Sequence, residues 1–164
     1  MNMPKVQPIP IETKGHFILV RIWRWITSIR NWELLEDWEY DLPGNDPTII
    51  IPKGFVFNGA SVPRIFWSIL SPTGLLFIPG LVHDYAYSCD CLWALDSSGK
   101  VYKWKEGSGR LFWDSIFRKV AIDVNGMTFI DILVWLGLVM FGWWGWFRTK
   151  RLPPCNLKPD KPTA

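Results

Sequence analysis

The sequence predicts an α+β fold, with a small antiparallel sheet from the N-terminal half packed by about three helices from the C-terminal half. Apolar residues lie mostly on the even positions of 32–42, with acidic residues mostly opposite, which is the alternation of a half-buried strand. A Pro- and Gly-containing turn at 43–47 separates this segment from the β-branched residues 48–51, so the two are expected to pair as a hairpin. In the second half apolar residues recur at helical spacing.

The remaining elements of the N-terminal half follow from local composition. Residues 1–14 contain three prolines and are expected to form an extended arm. The first half of 17–29 is predicted to be a strand, and 55–57 a further short strand.

The C-terminal half carries the helix signals. Ser61 is expected to cap a helix with Pro63 in its first turn, and residues 71–74 end it. The other predictions are a helix at 81–88, an exposed loop or hairpin at 96–109, a helix at 110–124 ended by Asn125-Gly126, and a last helix from Thr128 to about residue 147. We assign 15–148 to a single domain and 149–164 to a basic, Pro-rich tail that is expected to be disordered.

Composition narrows the class of protein. A net charge of +3 in 164 residues does not favour a specific nucleic-acid partner. Twelve Trp and ten Phe indicate large buried contacts or a wet–dry boundary. Three cysteines with only two His do not predict a zinc site, so free thiols in a reducing compartment are expected. The first residues lack the basic and then apolar pattern of a signal peptide.

Four segments carry a family resemblance: Ile51-Pro52-Lys53-Gly54-Phe55, Asn58-Gly59-Ala60-Ser61-Val62-Pro63-Arg64, His83-Asp84-Tyr85-Ala86-Tyr87 and Trp113-Asp114-Ser115-Ile116-Phe117. Together they resemble a domain family of tailed bacteriophages and prophages that has no assigned function, over roughly residues 32–146. That family usually has Asp where this chain has Asn58, so an acceptor oxygen is kept there but a charge is lost.

The resemblance implies a viral context for the chain. It implies a protein of the tail, cell-entry or lysis apparatus, located in the virion, in the host cytoplasm or at the inner membrane. The expected partners are other phage structural proteins, further copies of the chain, or a membrane surface.

A second, local similarity concerns chemistry, because a His-Asp-x-x-Tyr helix followed by an Asp on a later helix is similar to the motif of secreted phospholipase A2. The similarity implies that His83 is a general base, Asp114 orients it and Tyr87 supports the pair, while Asp84 is a Ca²⁺ ligand. The disulfides and the glycine-rich calcium loop of that enzyme class are absent.

The candidate site therefore joins residues from several elements. The candidate catalytic residues are His83, Asp114 and Ser61, the candidate metal ligands are Asp84 and Asn58, and Arg64 and Tyr87 are candidate supporting residues. The alternative is a buried polar network that fixes the fold without catalysis. The chain would then be a non-catalytic structural component of the virion, or a membrane-associated phage accessory protein.

The last predicted helix leaves three interpretations open. Residues 129–147 contain one charge, Asp131, and approach the length that spans a bilayer. Trp143, Trp144 and Trp146, followed by Arg148, are candidates for membrane or subunit contact. A buried or subunit-facing helix is favoured, with a membrane-surface helix and a true span as alternatives.

Overall fold

A computed structural model describes residues 2–10, 17–19, 31–58, 74–149 and 157–161. Within these ranges the chain has an α+β fold, as predicted. The elements in chain order are β1 (Val6–Pro8), β2 (Trp32–Leu34), β3 (Trp38–Asp41), β4 (Thr48–Ile51), β5 (Val56–Phe57), α1 (Phe77–Cys89), β6 (Leu92–Leu95), β7 (Val101–Trp104), α2 (Arg110–Asn125) and α3 (Thr128–Thr149).

The strands form two antiparallel sheets instead of the single one predicted. One sheet has the order β1-β2-β5 and the other has the order β3-β4-β6-β7. The predicted strand at 32–42 is divided between them, because the chain bends at residues 35–36. Part of the predicted N-terminal arm forms β1, which pairs with β2.

The predicted hairpin is confirmed by the antiparallel pairing of β3 with β4, in which Trp38 lies opposite Ile51 and Asp41 opposite Thr48. Strand β4 also pairs with β6 on its other edge, and Ile49, Ile50 and Ile51 are all fully buried. A short uninterrupted apolar run is typical of a strand covered on both faces.

Residues 96–109 were predicted to be an exposed loop or a hairpin, and the hairpin is the alternative that the structure supports, since 101–104 form a strand. The second sheet therefore extends into the C-terminal half. Strands β6 and β7 form a hairpin whose turn is fixed by Asp96, since its carboxylate accepts hydrogen bonds from the Ser98 and Lys100 N–H groups. Trp104 is buried against Phe112 and Trp113. The polar turn residues concealed this burial in the sequence.

The helices α2 and α3 begin where the sequence predicted, while α1 begins four residues earlier. Pro79 lies in the first turn of α1, where its missing N–H costs no helical hydrogen bond. Gly126 ends α2 with φ +64°, and its N–H donates to the Ile122 carbonyl. Helices α1 and α2 pack on each other, and α3 packs along α2.

Two sequence predictions fall largely outside the described residues. Of the strand predicted within 17–29, only residues 17–19 are described, and the prediction is wrong there because Ile18 and Leu19 are helical. The helix predicted to open at Ser61 lies outside the described residues.

Part of the predicted disordered tail is ordered. The Leu157 carbonyl accepts hydrogen bonds from Tyr85 Oη at 3.3 Å and from Trp93 Nε1 at 3.2 Å, both of which are buried side chains. The Asp160 N–H donates to the Asp37 carboxylate at 2.7 Å. These contacts hold residues 157–161 against the domain, so the prediction of disorder is wrong for them.

The prediction of free thiols is also wrong for one cysteine. Cys89, at the end of α1, is disulfide-bonded, whereas the buried Cys91 is a thiol outside any disulfide. The argument for a reducing compartment therefore does not hold.

Candidate functional site

Helices α1 and α2 bring two of the predicted residues into direct contact. His83 Nε2 lies 3.0 Å from Asp114 Oδ1, although 31 positions separate the residues in the sequence. The His83 side chain is 8% exposed and the Asp114 side chain is fully buried. Sequence reasoning placed one residue on each helix but did not establish that they meet.

Asp114 is the centre of a larger polar cluster. Tyr87 Oη donates to Asp114 Oδ1 at 2.5 Å, and Arg110 Nη1 donates to Oδ2 at 3.0 Å. The guanidinium charge of Arg110 and the Tyr87 hydroxyl lie against the two oxygens of this carboxyl group, and these contacts offset the cost of burying it. Burial raises the pKa of Tyr87, and the hydrogen bond to Asp114 raises it further.

The His83 ring lies among aromatic side chains. Its centroid is 3.9 Å from that of Tyr87 and 5.4 Å from that of Phe117. Burial lowers the pKa of His83, and this effect exceeds the opposing effect of Asp114. The imidazole is therefore neutral at pH 7, and because an ionised carboxylate only accepts, the ring proton is on Nε2. The lone pair of the neutral ring is then on Nδ1.

Asp84 follows His83 on α1 and points to a different side of the helix, because successive residues are rotated by about 100°. The Asn58 backbone N–H, at the end of β5, donates to its carboxyl group. Burial raises the pKa of Asp84 to about 8, and the hydrogen bond from Asn58 opposes that rise. The two candidate metal ligands of the sequence analysis therefore lie together.

Helix α3 closes one side of the cluster. A Cβ atom at Gly142 would lie 2.9 Å from Tyr87 Oη and 3.5 Å from Arg110 Nη1. Glycine at this position therefore allows α3 to approach these side chains of α1 and α2 closely. Arg110 Nη1 also donates to the carbonyls of Leu138 at 3.2 Å and Val139 at 3.1 Å. Trp146 packs edge-on against the Tyr87 ring, with centroids 5.1 Å apart.

The other predicted site residues are distributed as follows. Trp143 and Trp144 are exposed on α3, and Trp146 is half-buried. The Arg148 side chain, Ser61 and Arg64 lie outside the described part of the chain, so their roles stay predictions.

The described residues contain no group of three or more His, Cys, Asp or Glu side chains that could hold a metal ion. Ca²⁺ prefers six to eight oxygen ligands. Asp84 and Asn58 can supply a carboxylate and an amide oxygen, so a calcium site here requires further oxygens from loop carbonyls or water.

Sequence reasoning missed Gly142 and Phe117 as parts of the site. A glycine in the middle of a helix usually has a packing reason, and that signal was available for Gly142. Arg110 lies four residues before Asp114 on the same helix, a spacing that favours an ion pair and can be read from the sequence. Its contacts with α3 had no sequence signal.

Comparisons with known proteins give a family but no activity. Residues 32–138, more than half of the chain, match the family described as "Protein of unknown function (DUF1353)", and the chain belongs to that family. No curated protein matches the chain. No solved structure matches it either.

Proposed function

We propose that this DUF1353 chain is a hydrolase in which His83 is the general base and Asp114 orients it. The observation that carries the proposal is the 3.0 Å contact of His83 Nε2 with a fully buried Asp114. A base that works near neutral pH needs a neutral ring, an acceptor on one nitrogen and a lone pair on the other. These are the properties derived above for His83.

The proposed reaction is the hydrolysis of a carboxylic ester, with phospholipids as the first class to test. Water attacks the ester carbonyl while His83 Nδ1 takes one of its protons, so that a tetrahedral oxyanion forms. Asp114 stabilises the resulting imidazolium through Nε2–H and remains ionised. When the intermediate collapses, the C–O bond to the alcohol breaks and Nδ1–H returns the proton to the leaving oxygen.

The supporting residues act through Asp114. Tyr87 and Arg110 hold its two oxygens, so the carboxylate cannot rotate away from His83. Arg110 is in turn fixed by two carbonyls of α3. These residues are positioning residues in the proposal.

We extend the proposal to Ca²⁺ at Asp84 and Asn58. A divalent cation held by Asp84 and Asn58 would lie on a different side of α1 from the His83 ring, and it would supply positive charge to an anionic group of a bound substrate. The cation would displace the proton that Asp84 holds below about pH 8. Metal binding is therefore expected to strengthen as the pH rises.

The biological setting in the proposal is a bacteriophage. It is supported by the resemblance of the four quoted motifs to a phage and prophage domain family, and it places the chain in the tail, cell-entry or lysis apparatus. Each of these structures must cross a bacterial envelope, so phospholipid and peptidoglycan are both available substrates.

The test is a hydrolysis screen of the purified full chain with phosphatidylglycerol vesicles and with peptidoglycan, in the presence of Ca²⁺. Released fatty acid and soluble cell-wall fragments are measured. We expect fatty-acid release that falls by about 10²–10⁴-fold in His83→Gln, which is the usual contribution of a general base. Circular dichroism must show that this variant is folded. Equal release by wild type and His83→Gln, or none by wild type, would overturn the hydrolase.

One observation favours a second candidate, a non-catalytic structural role. Both oxygens of the fully buried Asp114 are occupied by donors from α1 and α2, and Arg110 extends the network to α3. Such a network stabilises one helix arrangement without any chemistry. An inactive wild type together with a large loss of stability in His83→Gln would support this role in the virion.

A further inference from the structure

The most unusual surface of the molecule is the outer face of α3. The helix from Thr128 to Phe147 is long and apolar enough to cross a membrane by length and composition. Its outer residues recur at spacings of three and four and lie on one face, which we call the apolar face. They are Phe129, Leu133, Leu136, Met140, Trp144 and Phe147, each between 41% and 75% exposed.

The apolar face is continuous and has no charge. From Phe129 to Phe147 it extends about 27 Å at the helical rise per residue. The only charged residue in this stretch, Asp131, is 1% exposed and accepts a hydrogen bond from Asn125 Nδ2 at 3.0 Å on the inner side. A soluble monomer rarely exposes so large an apolar patch, so the apolar face marks a contact surface.

The inner side of α3 is fixed to the domain along its length. Asp131 contacts Asn125 near the start, Arg110 binds carbonyls at Leu138 and Val139 in the middle, and Trp146 packs on Tyr87 near the end. The helix cannot be surrounded by lipid without breaking these contacts and exposing the Asp114 cluster to hydrocarbon. The structure therefore opposes a transmembrane span. The favoured interpretation was a buried or subunit-facing helix, and its buried form is wrong, because the outer side of α3 is exposed.

The residues at the C-terminal end of α3 indicate what the apolar face contacts. Trp143 and Trp144 are exposed there, and Trp is enriched where hydrocarbon meets lipid headgroups. The sequence continues with Arg148, Lys150 and Arg151, which complement anionic headgroups. The apolar face offers no polar group other than the Trp144 indole N–H to fix the register of a protein partner, whereas interfaces between proteins usually contain about ten hydrogen bonds.

We propose that α3 docks on the surface of an anionic phospholipid bilayer, lying in its plane with the apolar face inserted. This is the arrangement of interfacial helices, which bind through buried apolar area together with attraction to anionic lipid. The docking does not require His83 to be catalytic. If the proposed hydrolase is correct, the docking places its site one helix diameter, about 10 Å, behind the lipid contact.

The test is co-sedimentation of the full chain with vesicles of phosphatidylglycerol or of phosphatidylcholine at low and high salt. We expect wild type to bind the anionic vesicles more strongly and to lose binding at high salt. Met140→Glu and Trp144→Glu should each lower the partition coefficient at least tenfold. Both side chains are more than half exposed, so we expect neither change to disturb the packing of α3 on the domain.

Two controls keep the outcome interpretable. Leu35→Glu makes the same change at an exposed apolar residue outside α3 and should bind like wild type. His83→Gln should also bind like wild type, which separates docking from hydrolysis. No vesicle binding by wild type, or binding unaffected by the α3 variants, would overturn the proposal. A dimer in solution that is lost in Met140→Glu would overturn the proposal and show that the apolar face binds a second copy of the chain. Vesicle-bound protein that resists carbonate extraction would overturn it in favour of a transmembrane span.

Discussion

At Asp114 a single buried carboxylate accepts hydrogen bonds from His83, Tyr87 and Arg110. The arrangement determines the chemistry of the residue beside it, because an ionised acceptor fixes both the tautomer and the orientation of the imidazole. Without a partner, His83 would be a buried polar ring with an unsatisfied N–H. With Asp114 it is a neutral base whose pKa is lowered by burial.

Asp84 gives a testable pH dependence. Its pKa in the folded chain, about 8, lies above the usual value of 3.8, so the folded state keeps a proton that the unfolded state loses between these values. The stability that Asp84 contributes is complete below about pH 4 and is lost as the pH rises towards 8. The side chain in Asp84→Asn cannot titrate. We therefore expect its free energy of unfolding to rise relative to that of wild type by up to about 1.4 kcal/mol per pH unit between pH 5 and 7.

The measurement is urea unfolding of both proteins from pH 5 to pH 8 in the absence of calcium. Asp96→Asn is the control, because hydrogen bonds from Ser98 and Lys100 lower the pKa of Asp96. Its stability contribution changes only below about pH 4, so its curve should run parallel to wild type in this range. A constant difference between Asp84→Asn and wild type would show that the Asp84 carboxyl is not held protonated.

At the scale of elements, α3 depends on glycine at one position and not at another. Gly142 faces the polar cluster, with Tyr87 Oη 2.9 Å from where a Cβ would be, whereas a Cβ at Gly137 on the same helix would meet nothing within 4 Å. Alanine improves helix propensity equally at both positions. The difference between the two substitutions therefore measures how closely α3 packs on the site.

We expect Gly142→Ala to destabilise the fold, since overpacking costs about 1–3 kcal/mol and outweighs the gain in helix propensity. Gly137→Ala should stabilise it by up to about 1 kcal/mol. Thermal unfolding of both variants is the measurement. Adding Tyr87→Phe to Gly142→Ala removes the hydroxyl in closest contact and should recover part of the loss. Stabilisation by both alanines would mean that α3 does not approach the cluster as described.

The elements also show what the sequence could predict. Helices α2 and α3 and the β3–β4 hairpin were predicted, because each has a clear period and a turn or glycine signal at its end. Strand β6 was missed, and β7 was predicted only through the hairpin alternative for 96–109. The polar turn around Asp96 dominates the local sequence, and Trp104 is buried only by tertiary contacts with Phe112 and Trp113. The bend at residues 35–36, which assigns β2 and β3 to different sheets, had no signal in the alternating pattern.

At the scale of the whole molecule, the site depends on contacts between distant segments. The motifs named His83, Tyr87 and Asp114 as candidate site residues, but only the packing of α1 on α2 brings them into contact. The ordered segment 157–161 and the disulfide at Cys89 were not predicted. A polar, Pro-rich composition predicts disorder only where the rest of the chain offers the segment no contacts. Here Tyr85 and Trp93 supply buried hydrogen-bond donors for its backbone.

The whole molecule therefore has a polar cluster on the inner side of α3 and an apolar face on its outer side. The first supports the hydrolase proposal and the second the docking proposal, and they share Gly142 and Trp146 as the residues that bring helix and cluster together. A lipid substrate would be consistent with both.

The central claim is that Asp114 holds His83 as a neutral base with its proton on Nε2. The most direct measurement is a ¹⁵N NMR titration of the imidazole nitrogens from pH 4 to pH 9, with the signals assigned by a His16→Gln variant. We expect the Nε2–H tautomer at pH 7 and a midpoint below 6.5, because burial lowers the pKa of His83. A midpoint above 6.5, or a ring protonated on Nδ1 at pH 7, would contradict it.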